Sequence, residues 1–247
     1  MNYLDYSSIL PELDKTNDFI FETLMSDFSN PKKVKKIRYT REIAITRYQR
    51  DGNDMLFHLF LSEIKIKCNM SVENIFFLEE MAAVFDEIEL EINEYGKIIK
   101  VLNFEDLKKR WKNVYTKLAI DNVGSNAEMY WQNITDLLKE EQKLLSYFFD
   151  YKMFGLYFSS LYRNSYAIER KRKLMDCGST VITEHFCPKD EKFTVYAITG
   201  TAVEGNTTDF IKYDGVFEYR NDQVDLATIE IEKKETTLMY NIYKRTL

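Results

Sequence analysis

An α+β fold, with one curved antiparallel sheet or two packed antiparallel sheets and a helical insertion in mid-chain, is what this 247-residue sequence predicts. Three observations lead there. Ile88, Leu90 and Ile92 alternate strictly with Glu87, Glu89 and Glu91, the period of a strand with one buried and one wet face. Leu107, Trp111, Val114 and Leu118 recur instead at helical spacing. The last third of the chain then reads as an antiparallel meander, with segments near 179–187, 192–203, 209–220, 224–233 and 235–245. Turn residues separate them at Pro188-Lys189-Asp190 and Arg220-Asn221-Asp222-Gln223.

Taken in order, residues 11–28 are expected to form an N-terminal helix, with Phe19, Ile20, Leu24 and Phe28 on one face. Asn30-Pro31 ends it, because proline disfavours helix in the residue before it. A first strand set occupies 37–102. Ile37 to Tyr48 alternates, Asp51-Gly52-Asn53 signals a turn, and Met55 to Cys68 returns as one long strand with both faces largely apolar. Ser71 opens a short helix to about Phe85, with Ile75, Leu78, Ala82 and Phe85 as its stripe. The Glu87–Ile92 strand turns at Tyr95-Gly96, where glycine accepts a positive φ, and returns through Ile98, Ile99, Val101 and Leu102.

The helical insertion spans 103–160. Asn103 with Asp106, and Ser125 with Glu128, stand at capping-box spacing, and the second pair starts the longest helix, carrying Trp131, Ile134, Leu138, Leu145 and Phe149. Periodicity leaves Lys152–Tyr166 open between helix and strand. The meander of 171–247 completes what reads as a single domain over 1–247, large enough to bury a substantial core.

Hydrophobic residues make up 45% and charged residues 30%, an ordinary globular balance and not a disordered one. The formal charge of −6 disfavours general nucleic-acid binding, which requires a basic surface. The basic run Lys32, Lys33, Lys35, Lys36 and Arg38 reads as a solvated loop and strand start. Three cysteines are an odd number for a disulfide framework and suit a reducing compartment. The N-terminus has neither a basic nor an apolar segment of the signal-peptide kind, and no apolar run approaches the ~20 residues of a membrane span. A cytoplasmic location is the expectation.

Motifs for nucleotide, hydrolase and metalloprotease chemistry are not found, and only two histidines occur. His185 and Cys187 share a strand face, with Cys177 eight residues before His185, but structural zinc wants four ligands in close pairs. Neither Cys/His catalysis nor a metal site is expected there. His58, between Phe57 and Leu59, reads as a hydrogen-bonded structural histidine. The Glu87, Glu89 and Glu91 row reads as a solvated face, and Asp51, Asn53 and Asp54 lack the other ligands of a calcium loop. No cofactor is expected.

Aromatics reach 15%, and one stretch concentrates them: Tyr147, Phe148, Phe149, Tyr151, Phe154, Tyr157, Phe158 and Tyr162. Core packing produces such a cluster, and so does a pocket lining or docking surface. As candidate binding residues it offers Tyr147, Phe148, Tyr151, Phe154, Tyr157, Phe158 and Tyr162.

The run from Ile92 to Trp111, with its Asn93-Glu94-Tyr95-Gly96 turn, apolar strand, Asn103 cap and closing Lys109-Arg110-Trp111, resembles a pattern in uncharacterised bacterial α+β proteins. The coarse layout is similar to the open half-barrel of lipoprotein-carrier-like proteins, a likeness of fold that implies no function. Two expectations about function follow from the residues. The first is a non-enzymatic protein-binding module of a bacterial cytoplasm, such as an adaptor, chaperone or immunity protein of a secretion or toxin system, since such proteins act by shape and charge without a motif. The alternative is a carrier or sensor of an apolar small molecule held between sheet and helices.

Overall fold

The computed structural model describes residues 6–8, 10–49, 55–70, 75–93, 96–120, 122, 124–164, 168–174, 180–192, 194–205, 209–221 and 223–245. The chain forms strands β1 (Tyr6–Ser8), β2 (Thr16–Asp27), β3 (Lys35–Tyr48), β4 (Met55–Leu61) and β5 (Lys65–Cys68), then helix α1 (Ile75–Ala82) with a short 3-10 turn. The hairpin β6 (Glu87–Ile92) and β7 (Ile98–Val101) follows. Four helices come next, α2 (Phe104–Leu118), α3 (Ser125–Leu137), α4 (Glu141–Phe148) and α5 (Gly155–Ser160). The chain closes with β8 (Tyr162–Asn164), β9 (Ile168–Leu174), β10 (Thr180–Pro188), β11 (Val195–Glu204), β12 (Phe210–Arg220), β13 (Gln223–Lys233) and β14 (Thr236–Lys244).

Both strand sets join one open, 12-stranded antiparallel sheet in the order β7-β6-β4-β3-β2-β14-β13-β12-β11-β10-β9, with β5 also on β3. β1 and β8 pair separately. The chain therefore starts at the centre of the sheet and works outward to β7. It then crosses to the opposite edge at β9 and meanders back until β14 lies beside β2. A connection from one edge to the other has to cross a face, so the helical insertion forms a second layer on one side of the sheet. The side chains that meet between these layers form one contiguous core, from Phe57 and Leu90 in one arm to Ile182 and Phe217 in the other.

The N-terminal helix is not found; Thr16–Asp27 of that stretch is β2. Phe19, Phe21, Thr23 and Met25 alternate as well as Phe19, Ile20, Leu24 and Phe28 recur at helical spacing, and pairing on both sides, with β3 and β14, decides for strand. Phe28, a member of the expected helical stripe, is 42% exposed. The single strand over 55–68 is divided. From Leu61 to Lys65 the chain takes one more step than β3 takes from Ile43 to Thr40. It leaves the ladder where Ser62 Oγ accepts the Glu42 N–H and the Ser62 carbonyl accepts Arg41 Nε.

The expected long helix is α3 and α4, with Glu140 extended between them. The break brings Glu141 to the sheet edge, where its Oε1 accepts the otherwise open Val101 N–H at 2.8 Å. Neither capping box forms. Asn103 precedes α2, but its Oδ1 accepts the Glu89 N–H and its Nδ2 donates to the Glu87 carbonyl, extending the β6 ladder beyond the end of β7. Gly124 precedes α3, and Ser125 is already helical. The open stretch 152–166 contains both α5 and β8, and β9 is a strand that the pattern after Lys171 only partly covers. Gly96 has the positive φ expected, 76°. The Asp51-Gly52-Asn53 turn and the Ser71 helix start lie outside the described residues.

Candidate functional site

The strands at the centre of the sheet outrun the helical layer, and this mismatch makes the site. Toward one end, Phe19 packs on Tyr157, and Phe57 on Phe158, with ring centroids 5.0 and 5.2 Å apart. Further along β2 the inward positions are Thr23 and Met25, only half-buried, beside Tyr39 of β3 and Leu238 and Tyr240 of β14. The chain after α4 passes above them through Lys152 and Met153, and Ile64 and Tyr147 complete the wall. The space enclosed is a cleft of about 410 Å³. It adjoins a cavity of about 60 Å³ beside Phe21, Arg41, Ile43, Tyr151 and Phe154. On the solvent side, Tyr147 and Lys152 are shared with an outer groove of about 710 Å³ that also carries Asp136, Glu140, Lys143 and Asp150.

Tyr151 separates this cleft from a buried charge cluster. Its hydroxyl and that of Tyr213 both donate to Glu184 Oε1, and the two hydroxyl oxygens lie 2.6 Å apart. Arg170, the cross-strand partner of Glu184, donates through Nε to Oε2, and Arg172 Nε stands 3.7 Å from Oε1. The Arg172 guanidinium lies between the Tyr151 and Phe149 rings, 4.1 and 4.6 Å from their centroids, and donates to Ser159 Oγ and the Phe149 carbonyl. Tyr213 reaches the carboxylate because its ring lies over Gly200, which has no Cβ to obstruct it.

Burial raises the pKa of the Glu184 carboxyl, but the Arg170 and Arg172 charges and the hydrogen bonds overcome it and bring it to about 2. Burial pushes the Tyr151 and Tyr213 phenols up, so both stay neutral donors. Arg41, at the inner cavity, is pushed down by burial and held by Asp86 at 2.6 Å and by the carbonyls of Ser62 and Ala82. The Tyr39 phenol, in the cleft itself, is raised by burial. The cleft thus offers apolar surface, neutral hydroxyls and one ammonium, which is chemistry for holding a molecule.

Of the candidate binding residues, Tyr147 lines the cleft and Tyr151 its inner cavity, together with Phe154. Phe148, Phe154, Tyr157 and Phe158 are at most 1% exposed and Tyr151 5%, so they are core side chains and no surface. Tyr162 lies in β8, of which only the backbone is described. The sequence reading missed the sheet half of the cleft, because Met25, Tyr39 and Leu238 come together only through pairing of distant strands. It also missed Glu184, Arg170 and Arg172. The signal was in the chain, as Arg170 and Arg172 in step with Leu174, and Glu184 between Ile182 and Phe186.

His58 Nε2 donates to Glu87 Oε1 at 3.1 Å, and Glu87 also accepts from Arg110. Tyr48 donates to Glu89, so this row is held by neighbours as well as by solvent. His185 faces away from the helices with Glu169, Cys187 is exposed, and Cys177 lies outside the described residues. Among the described residues no group of three or more His, Cys, Asp and Glu side chains is placed to hold a metal ion. No described helix is long and apolar enough to cross a membrane.

No protein-family model matches the chain, and no curated protein sequence matches it. Among solved structures it is similar to a chain from a structure of lipid-protein interactions in lipovitellin, at 8% identity with a TM-score of 0.48. That match covers 95% of this chain and 25% of the other, so the chain spans a quarter of the lipovitellin chain. It is also similar to DynF from the dynemicin biosynthesis pathway of Micromonospora chersina, at 8% identity and a TM-score of 0.20, over 98% of this chain and 87% of that one.

Proposed function

We propose that this protein is a carrier or sensor of an apolar small molecule, held in the cleft between the sheet and the helical insertion. The observation behind this reading is the half-buried row of Met25, Ile64 and Met153 around about 410 Å³ of space. Ligand sites of small molecules run from about 300 to 1,000 Å³ and are lined by apolar and aromatic groups with a few polar atoms. Native mass spectrometry of protein gently purified from its host tests it. A small hydrophobic adduct that leaves on activation is expected, and Met153→Trp, which fills the cleft, should lose it. An adduct unchanged in that variant would sink the assignment to this cleft.

A second reading keeps a protein partner in the cytoplasm, in the manner of an adaptor, chaperone or immunity protein. What favours it is a group of exposed apolar side chains on the first three helices and the turn after α2. Phe76 is 68% exposed, Tyr115 45%, Ile120 78% and Met129 53%. Exposed apolar patches of aromatics and methionine mark interfaces. The same mass spectrum would show a second polypeptide in fixed stoichiometry, absent when Tyr115 and Met129 are both changed to Glu.

A further inference from the structure

We infer that the uncovered face of the sheet at β3 and β5 docks on an anionic lipid surface, with Lys36, Lys65 and Lys67 against the headgroups. This stands on strand register and charge, and holds whatever the cleft on the other face contains.

In the β3–β5 ladder Arg38 lies opposite Lys67 and Thr40 opposite Lys65, while the Lys36 carbonyl accepts the Asn69 N–H. Residues paired across strands share a face, and so do positions i and i+2, which puts Lys36, Arg38, Lys65 and Lys67 on one side. It is the side away from the helices, because Ile37 and Tyr39 alternate with them, Ile37 buried and Tyr39 in the cleft. All four cations are exposed.

Their charge is not cancelled locally. Arg38 pairs with Glu22, which Asn241 also holds, and Glu42, farther along β3, pairs with Arg245. Asp27 stands across from Lys35 on the other face, and Glu79 accepts the Ile66 N–H. Lys36, Lys65 and Lys67 have no ion-pair partner among the described residues. Lys32 and Lys33, both exposed, add charge in the loop between β2 and β3. Across the sheet the next carboxylates are Glu230 and Glu232 of β13, three strands from β3. At about 4.8 Å per strand they are about 14 Å away, beyond the screening length of about 8 Å in physiological salt. A sheet also twists by about 20° per strand, so that row turns out of a plane that touches β3 and β5. In a chain of formal charge −6, this corner is basic.

The apolar neighbours of these cations select lipid among polyanions. Leu24 stands across from Arg38, and Met239 across from Leu24, on the same face and half-buried. Phe28 and Met70, just past the ends of β2 and β5, are 42% and 40% exposed. Lysines among apolar and aromatic side chains suit the headgroup boundary, where ammonium groups meet phosphates and apolar groups enter the edge of the acyl layer. The backbone of a nucleic acid would take up the charges but not the apolar groups. Arg38 is followed by Tyr39 and Lys65 preceded by Ile64, two residues of the cleft wall, so the docking face and the cleft are two sides of the same part of the sheet.

The test is co-sedimentation of the full chain with vesicles of phosphatidylcholine alone and of an equal mixture of phosphatidylcholine and phosphatidylglycerol. Binding to the mixed vesicles is expected, weakening as salt is raised, with little to the neutral ones. One lysine near an anionic surface contributes about fivefold, so Lys36→Gln, Lys65→Gln and Lys67→Gln together should weaken binding about a hundredfold. Lys100→Gln, Lys189→Gln and Lys192→Gln together remove the same charge from exposed positions elsewhere and should leave it unchanged. Equal binding to both kinds of vesicle, an unaffected first variant, or an equal loss in the second would overturn the inference. Absence of binding to the mixed vesicles would overturn it too, and poly-glutamate or duplex DNA held through the same three lysines would then assign the face to a protein or a nucleic acid.

Discussion

Gly200 and Tyr213 are matched across adjacent strands: the tyrosine ring occupies the space that a side chain at 200 would need. A Cβ there would meet Tyr213 Cδ1 at 2.7 Å and Cγ at 2.9 Å. The ring in that position delivers its hydroxyl to Glu184. Gly200→Ala should therefore displace Tyr213 and destabilise the fold by about 1–3 kcal/mol, the usual cost of overpacking. Urea unfolding measures it, and in a Tyr213→Ala background the penalty should shrink, because the ring atoms that a Cβ at 200 would meet are gone. An equal penalty in both backgrounds would deny the link between the two residues.

Glu184 is fully buried with two arginines on it. Its pKa of about 2 lies below the ordinary 4.5 of a glutamate, so its contribution is fully present above about 4.5 and is lost as pH falls through 2. Glu184→Gln leaves Arg170 and Arg172 without their carboxylate and should cost about 3–5 kcal/mol at neutral pH. The difference in stability between wild type and variant should then narrow as pH falls from 4.5 to 2. A constant difference would show that the carboxylate charge is not what holds the cluster.

Gly155 touches backbone. A Cβ there would lie 1.8 Å from the Phe149 carbonyl oxygen, which also accepts Arg172 Nη1, and nothing flexible can yield. Gly155→Ala should cost at least about 3 kcal/mol, toward the upper end for a single substitution. A thermal midpoint within two or three degrees of wild type would contradict this placement of the turn before α5.

The Tyr157 hydroxyl is buried with no hydrogen-bond partner among the described residues. Removing an unsatisfied polar atom is neutral or favourable, so Tyr157→Phe should raise stability by up to about 1 kcal/mol. A loss of 1 kcal/mol or more in urea would show that the hydroxyl has a partner.

Asn103→Ala should cost about 1–3 kcal/mol. Its side chain satisfies the Glu89 N–H and the Glu87 carbonyl, which have no strand partner once β7 has ended. Amide exchange should report it locally, with faster exchange at Glu89 than at Ile88. Unchanged protection at Glu89 would mean that water replaces the asparagine without loss.

Local pattern carried much of the fold. The β6–β7 hairpin, α2 and the strands β10–β14 were legible because alternation, helical spacing and turn residues act over a few residues at a time. Where two periods fit the same residues, as in Phe19 to Phe28, only the neighbours β3 and β14 could choose between them. Asn103 looked like a cap because it stands where caps stand; the end of β7 gave its side chain a better use. The aromatic run was legible as a cluster, but whether it filled a core or faced solvent depended on which face of the sheet the insertion crossed.

By itself the sequence determined the β6–β7 hairpin, α2, the strands β10–β14 and their antiparallel class, because these follow from interactions between residues close in the chain. The tertiary structure alone decided that β14 would lie against β2 and that the insertion would cover only part of the face. It also brought Glu184, Arg170, Arg172, Tyr151 and Tyr213 together, and set Lys152 at the mouth of a cleft floored by Met25 and Leu238. The physical reason is that burial and charge pairing act between residues far apart in the chain, 203 positions for Arg245 and Glu42, and no short window contains both partners.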